Sequence, residues 1–300
     1  MNNVVDDIYE ALTPLTKGKH LDISDKEIEE FGERMKLALK GWAKPPRRDS
    51  AFSLRMSNIG KPIRRLWFDK HHKTKESVQH PKTFIKFLYG HLLEEVVLML
   101  TRLTEHEVDS EQKEVVVDGV YGHMDCKING EVVDIKTASN FAFRKFQEGS
   151  LREDDPFGYI SQLTGYEEAE GTEEGGFLVI NKENGELCFF APDDLDKPII
   201  RDRISIINKA IKKTKPPEEL CYEPVDDGKK GNRKLHRNCT FCPHKFECFK
   251  DSNNGEGLRT FKYNRGLTYF TKVVSAPRVE EVLLMKEQVR KLIAEQKNFC

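Results

Sequence analysis

Asn129-Gly130, set between two runs of alternating polarity, constrains this chain more than any other feature. Asn-Gly is the strongest short-range hairpin signal, because a two-residue type I′ turn needs positive φ at both central positions. In that register Ile128 faces Glu131, Cys126 faces Val133, and Asp125 faces Asp134. Directly opposed residues have Cβ atoms about 5 Å apart on one face of a sheet. Lys136, two residues further on, points to the same face. The other face carries Met124, Cys126, Ile128, Val133 and Ile135, an apolar set suited to a core. His123, opposite Lys136, reads as a neighbour of the pair rather than a ligand.

The wet side of a half-buried ribbon normally sets Lys or Thr against Asp, not a second carboxylate. Two facing aspartates repel, so a fold that keeps them needs a compensating cation. A divalent ion held by carboxylate oxygens, with a lysine beside it, is an arrangement that cleaves phosphodiesters.

Net charge is −1 with 33% charged residues, so bulk charge carries no nucleic-acid signature. Its distribution says more. Basic clusters occur at Lys44–Arg48, Lys61–Lys75, Lys209–Lys215 and Lys229–Arg237, and acidic ones at Asp22–Glu30, Glu105–Glu114 and Glu167–Glu174. Such segregation can build a basic groove on a neutral protein. No apolar run approaches the ~20 residues needed to span a membrane, and no signal-peptide profile opens the chain. The expectation is therefore a soluble, cytoplasmic protein with no membrane partner. Seven cysteines in a reducing compartment argue for thiol chemistry or metal binding rather than disulfides. No Walker-type phosphate loop is present, which argues against an ATP-driven motor in this chain.

Hydrophobic periodicity predicts a helical segment over 1–52, with Asp25 to Leu39 amphipathic and a Pro45-Pro46 break after Trp42. A long helix is expected from Pro81 to Leu103, with Phe84, Phe87, Leu88, Leu92, Val96 and Leu100 on its apolar side. Strands are expected near 113–118, 121–128 and 131–137, helices near 141–148 and 157–170, then a strand pair joined around Asn184-Gly185 and a helix from Ile199 to Lys213. A core spanning 53–215 would thus be a compact α+β unit. Residues 216–255 read as a loop-rich, cysteine-rich region, and 256–300 as a tail ending in a helix from Arg278 to Gln296.

His91 and Glu94 are three apart on the long helix and can share a face. A mostly apolar helix does not aim charge inward unless the charge is paired or metal-bound. Glu94 is the candidate third carboxylate, with His91 as an alternative or added ligand; a solvent-facing Glu94-Glu95 pair is the competing reading. Tyr159, Gln162 and Tyr166 fall on one helix, and Gln162 and Tyr166 share a face at i, i+4. They could contact phosphate or orient catalytic groups, or simply pack at the core edge. Cys239-x₂-Cys242-x₅-Cys248 in a loop-rich stretch asks for a soft cation, since thiolates select zinc or iron–sulfur clusters. Cys221 could supply a fourth thiolate, with His236 and His244 as substitutes better suited to zinc. Cys126 and Cys188 lie in strand patterns and read as packing residues.

Taken in order, Gly90-x-x-x-Glu94, Gly122-x-x-Asp125, Asp134-Ile-Lys136 and Gln162-x-x-x-Tyr166 resemble the motifs of the PD-(D/E)xK nuclease superfamily, within its RecB-like branch. The pattern is similar to bacteriophage exonucleases related to the CRISPR-associated iron–sulfur nucleases and the mitochondrial genome-maintenance exonuclease. It covers roughly residues 53–250. The resemblance implies a restriction-endonuclease-like core, a central mixed sheet flanked by helices, with a helical N-terminal segment and a cysteine-rich C-terminal appendage. It implies Mg²⁺ or Mn²⁺ on Asp125, Asp134 and the main-chain carbonyl of Ile135, with Lys136 positioning the attacking water or steadying the transition state. Gln162 and Tyr166 would brace the site or contact DNA, and Tyr159, Arg64 and Arg65 would bind DNA.

Cluster-bearing relatives take one cysteine from an N-terminal Ser-x-x-Gly-x-Cys-x-Arg stretch; here Ser57-x-x-Gly60-Lys61-Pro62-Ile63-Arg64 has Pro62 at that place. A [4Fe–4S] cluster completed by Cys221 is the favoured expectation, with Zn²⁺ or a degenerate site as alternatives. The implied activity is a metal-dependent DNA exonuclease acting at DNA ends in phage replication or recombination, in the host cytoplasm. A single-strand annealing protein or helicase would be its partner. The rival readings are a non-catalytic DNA-binding module and a recombination-complex subunit, each stabilised by the cysteine site.

Overall fold

The computed structural model describes residues 3–44, 52–72 and 80–282. Helices α1 (Val4–Thr16), α2 (Asp25–Ala43), α3 (Met56–Ile59), α4 (Ile63–His71) and α5 (Pro81–Arg102) lead up to the strands. Ser24 starts α2 with a reciprocal cap: its Oγ accepts from Glu27 N at 3.3 Å, and Glu27 Oε2 accepts from Ser24 N at 2.7 Å. Such a cap satisfies two orphan donors and is worth about 1 kcal/mol. Pro45-Pro46 lies outside the described residues.

Contacts divide the chain into two compact units, residues 1–61 with 85–206, and 62–84 with 207–300. The first unit is α+β, a central mixed sheet flanked by helices. Its five strands run in the order β1 (Val108–Asp109), β4 (Cys126–Ile128), β5 (Glu131–Ala138), β6 (Gly176–Asn181), β7 (Leu187–Phe190). All neighbours are antiparallel except β5 and β6, which are parallel. Helices α6 (Asn140–Gln147) and α7 (Tyr159–Glu170) make the crossover from β5 to β6. A separate ribbon pairs β2 (Glu114–Val117) with β3 (Val120–His123).

Asn129 (φ 51°) and Gly130 (φ 84°) both adopt the positive φ that a type I′ turn requires. The ladder keeps the expected register through Cys126–Val133. There it stops, and the single strand expected over 121–128 is two strands in two sheets. Met124 N donates to Lys113 O at 3.1 Å, and Gln112 N donates to Asp125 O at 3.0 Å. These bonds pull the chain off β5 and into the β2–β3 ribbon.

Cys126, Ile128, Val133, Ile135, Leu178 and Ile180 form one core with Val97 and Leu98 of α5 and Val4 and Ile8 of α1. Burial of a Val or Ile side chain contributes roughly 1.5–3 kcal/mol, an upper range given a compact unfolded chain. The N-terminal helix therefore belongs to the core. The apolar side of α5 also differs from expectation. Val97, Leu98 and Thr101 are buried, while Phe84 and Phe87 are about half exposed. The helix is rotated from the predicted stripe because the sheet covers only its C-terminal half. Glu94 falls on the line of Leu98 and Thr101, at i, i+4, i+7 spacing.

In the second unit, β8 (Val225–Asp227), β9 (Asn232–Lys234), β10 (Arg259–Tyr263) and β11 (Gly266–Lys272) form an antiparallel sheet ordered β10-β11-β9-β8. The stretch expected to be loop-rich thus pairs with the expected tail, across separations that local propensity does not register. Leu235, Cys239, Phe249, Leu267 and Tyr269 make its core. Residues 278–282 are not helical, since Glu281 bridges Phe261; the rest of the helix expected to Gln296, with Cys300, lies outside the described residues. Among the described residues no helix is long and apolar enough to cross a membrane.

Candidate active site

Asp134, on the central strand β5, is 2% exposed, and its Oδ2 is fully shielded from solvent. Lys136 Nζ forms an ion pair with that same oxygen. Asp125 lies one register step beyond the last ladder pair. Rather than sitting squarely opposite Asp134, it turns its Oδ2 to accept from Ile135 N at 2.7 Å. Burial, then the charge of Asp134, pushes the Asp125 carboxyl well above the usual carboxylate range, with Glu94 adding to the effect.

Glu94 reaches the same cluster from α5. Its Oε1 accepts from Gln112 Nε2 at 2.7 Å. Burial raises its pKa to about 7, with Glu95 and Asp134 pushing the same way against Lys136 and Gln112. Glu95 itself pairs with Arg34 at 3.4 Å, so the two glutamates do not form a solvent-facing pair.

For Lys136, burial alone would depress the pKa, but the charges of Asp134 and Asp125 outweigh it and the pKa rises. The ammonium lies 4.9 Å from the centroid of the Tyr159 ring, a cation–π placement. Tyr166, 2% exposed, accepts a hydrogen bond from Gln162 Nε2 at 2.9 Å through its hydroxyl. Burial raises the Tyr166 pKa, and Asp134 and Asp125 add to the rise. Glu94, Asp125, Asp134, Lys136, Tyr159 and Tyr166 are thus linked electrostatically, with Gln162 bonded to Tyr166. His91 does not join them: it is exposed.

Gly122 has a steric reason. A Cβ there would meet Met56 Cβ at 2.6 Å and the Tyr166 ring at 2.8 Å. Gly90 has none, since nothing stands within 4 Å of its Cβ position. Gln112, which clamps Glu94, has no local sequence signal; it sits in a tight turn at φ 51°.

Three carboxylates in electrostatic contact, one with a buried oxygen met by a lysine ammonium, suit a hard divalent cation with oxygen ligands. As they stand, no three His, Cys, Asp or Glu among the described residues are arranged to hold a metal ion. Metal-free protein should therefore carry a pH signature. Glu94 binds its proton more tightly when folded (about 7) than its ordinary value of 4.5. The folded state then holds the extra proton between those values. The Glu94 contribution should be unchanged below about pH 4.5, fall as pH rises towards 7, and stay lower beyond, by at most about 3 kcal/mol, and the raised Asp125 carboxyl should add to the fall. Melting in EDTA across pH 4.5–8 measures this. Glu94→Gln should flatten the slope, as should millimolar Mg²⁺ or Mn²⁺.

In the second unit the four expected thiols lie within electrostatic reach of one another. Burial pushes Cys239 up to about 12, and Cys221, Cys242 and Cys248 add to the rise. Burial raises Cys221 to about 11, with Cys248 and Cys242 contributing. Both candidate histidines have a ring nitrogen engaged elsewhere. His244 Nε2 meets Asp69 Oδ1 at 2.7 Å, and His236 Nδ1 accepts from Asn238 N at 3.3 Å. Arg64 is committed at a cysteine, while Arg65, 30% exposed, pairs with Asp69 at 3.7 Å. Arg64 Nε donates to Cys248 Sγ at 3.2 Å, and the Arg65 charge acts on Cys242 and Cys239. Arg64 Nη2 also donates to the Cys248 carbonyl at 3.4 Å. Cys126 is fully buried and Cys188 partly so.

No protein-family model matches the chain, and no curated protein sequence matches it. Among solved structures, the crystal structure of SSO0001 is similar at 14% identity and a TM-score of 0.35, over 64% of this chain and 87% of that one.

Proposed function

We propose that the protein is a Mg²⁺- or Mn²⁺-dependent deoxyribonuclease of the PD-(D/E)xK kind with a restriction-endonuclease-like core, an exonuclease that processes DNA ends. The observation that carries this reading is the electrostatic coupling of Glu94, Asp125 and Asp134 with one another and with Lys136, which pairs with the buried Asp134. A binding module has no use for three carboxylates held together against their repulsion and burial.

Glu94, Asp125 and Asp134 would hold the metal, with the Ile135 carbonyl as a further oxygen. The bound ion would supply water of lowered pKa and positive charge at the scissile phosphate. Lys136 keeps its proton under the charges of Asp134 and Asp125, so it would act as a fixed cation and donor toward water or phosphate, not as a base. Tyr159 and the Gln162–Tyr166 pair would hold that ammonium and the carboxylates in place.

Cys221, Cys239, Cys242 and Cys248 would bind a [4Fe–4S] cluster or zinc, as a cysteine-rich appendage to the nuclease. Anaerobically purified protein should show a broad band near 400 nm that Cys242→Ser abolishes. A colourless protein with one zinc would select the alternative, and a protein holding neither overturns the cysteine assignment. An annealing protein or helicase acting on phage DNA in the host cytoplasm would be the natural partner.

End-labelled linear DNA and closed circular DNA, incubated with Mg²⁺ or Mn²⁺, test the activity. Loss of the linear substrate from its ends with the circle intact is expected. Retention of DNA without cleavage at any metal concentration would mean a binding module instead.

A further inference from the structure

Phe157 is 61% exposed, yet nothing about its segment is loose. It sits in Asp155-Pro156-Phe157-Gly158, where Pro at the second position and Gly at the fourth suit a type I turn. Both carboxylate oxygens of Asp155 are occupied. Oδ1 accepts from Gly158 N at 2.8 Å and Oδ2 from Ile160 N at 3.0 Å. Gly158 (φ 77°) is pressed against Gly60 so closely that a Cβ on either would fall 2.3 Å from the other's Cα. The turn is therefore tied both to the start of α7 and to the end of α3.

This braced turn presents an aromatic ring next to the candidate active site. Phe157 stacks on Tyr159 with ring centroids 5.3 Å apart and planes 22° from parallel. Tyr159 in turn lies under the Lys136 ammonium. A single exposed phenylalanine is ordinary on a protein surface. A rigidly held one that continues a stack ending at Lys136 is not explained by the fold. Its outer face matches the flat surface of a nucleobase, and every base has such a face, so stacking there is tolerant of sequence.

We propose that Phe157 is a base-stacking residue that receives an unpaired nucleobase and thereby directs the site to single-stranded or frayed DNA ends. The proposal rests on the nuclease reading for its chemistry. A base in a duplex has both faces covered by its neighbours, so the platform would favour ends whose bases are free.

Binding of a fluorescent single-stranded oligonucleotide of about 20 residues, measured without metal in an Asp134→Asn background, tests this separately from catalysis. Phe157→Ala should weaken binding about tenfold. Phe157→Trp should restore it, and its fluorescence should be quenched as bases stack. The same oligonucleotide with abasic residues at its terminal positions should bind equally well with or without the Phe157→Ala substitution, as should a blunt duplex. Equal binding of the base-bearing strand with and without Phe157→Ala overturns the proposal, and so does a Phe157→Trp signal that DNA leaves unchanged. If wild-type protein cleaves DNA while Phe157→Ala changes neither binding nor end preference, the stacking role falls alone. If the Phe157-dependent binding persists but no metal yields cleavage, the nuclease reading falls instead. Absence of any DNA binding removes both.

Discussion

Lys136→Ala or Asp134→Ala should reduce metal-dependent DNA hydrolysis by at least about 10²–10³-fold, a loss typical of removing one group that stabilises transition-state charge. The two variants should differ in stability, which separates a catalytic loss from misfolding. Removing Lys136 leaves Asp134, 2% exposed, beside Asp125 and Glu94 with no cation. An uncompensated buried charge costs about 3–5 kcal/mol, unless the group takes up a proton. Lys136→Ala should therefore melt earlier in EDTA at pH 8 and recover with Mg²⁺ or Mn²⁺, while remaining inactive. Removing Asp134 leaves Lys136 facing Asp125, so its stability should fall less and should respond less to metal. Unchanged hydrolysis in both variants would sink the site assignment; circular dichroism in both confirms that the fold survives.

Gly60→Ala and Gly158→Ala should each destabilise the first unit by about 3 kcal/mol. At either position the new Cβ meets the backbone of the other glycine at 2.3 Å, and backbone cannot rotate aside as a side chain can. Gly158 carries the further penalty of φ 77°, a conformation that L side chains disfavour by about 1–2 kcal/mol. Melting temperature should drop by at least about 6 °C. Gly90→Ala is the control. Its Cβ meets nothing within 4 Å, and in a helix alanine is favoured over glycine, so that variant should be neutral or slightly more stable. A Gly60→Ala protein as stable as wild type would mean that the α3–α7 approach is not as close as described.

Much of the hairpin was legible because its determinants are local. Asn-Gly sets the turn, the turn sets the register, and the register holds through Cys126–Val133. The capping pair Ser24 and Glu27 is readable for the same reason: both partners lie within one helical turn. The orientation of α5 was not legible, because its sequence offers apolar residues on several sides and the sheet decides which are covered. Phe87 and Val97 are both good core residues in isolation; only Val97 meets the sheet. Arg64 reads as a phosphate contact in a basic run, and packing sets its guanidinium against Cys248, 184 residues further along the chain.

For the candidate site, the residue types Asp125, Asp134, Lys136, Glu94, Gln162 and Tyr166 were available from motif order alone, since each chemistry requires its own functional group. Their geometry was not. Face-to-face aspartates were the expectation from strand pairing, but the chain peels away at Met124, and Asp125 instead caps the Ile135 amide. The Gln112 clamp on Glu94 had no local signature, because it joins a turn to a helix whose approach depends on the whole core. Turn chemistry, strand register and the inventory of reactive groups belong to the chain as written, being set by neighbours a few residues away. Which charges are buried, which repel and which ring stands exposed beside the lysine were decided only when distant segments packed, since desolvation and Coulomb forces act through space rather than along the chain.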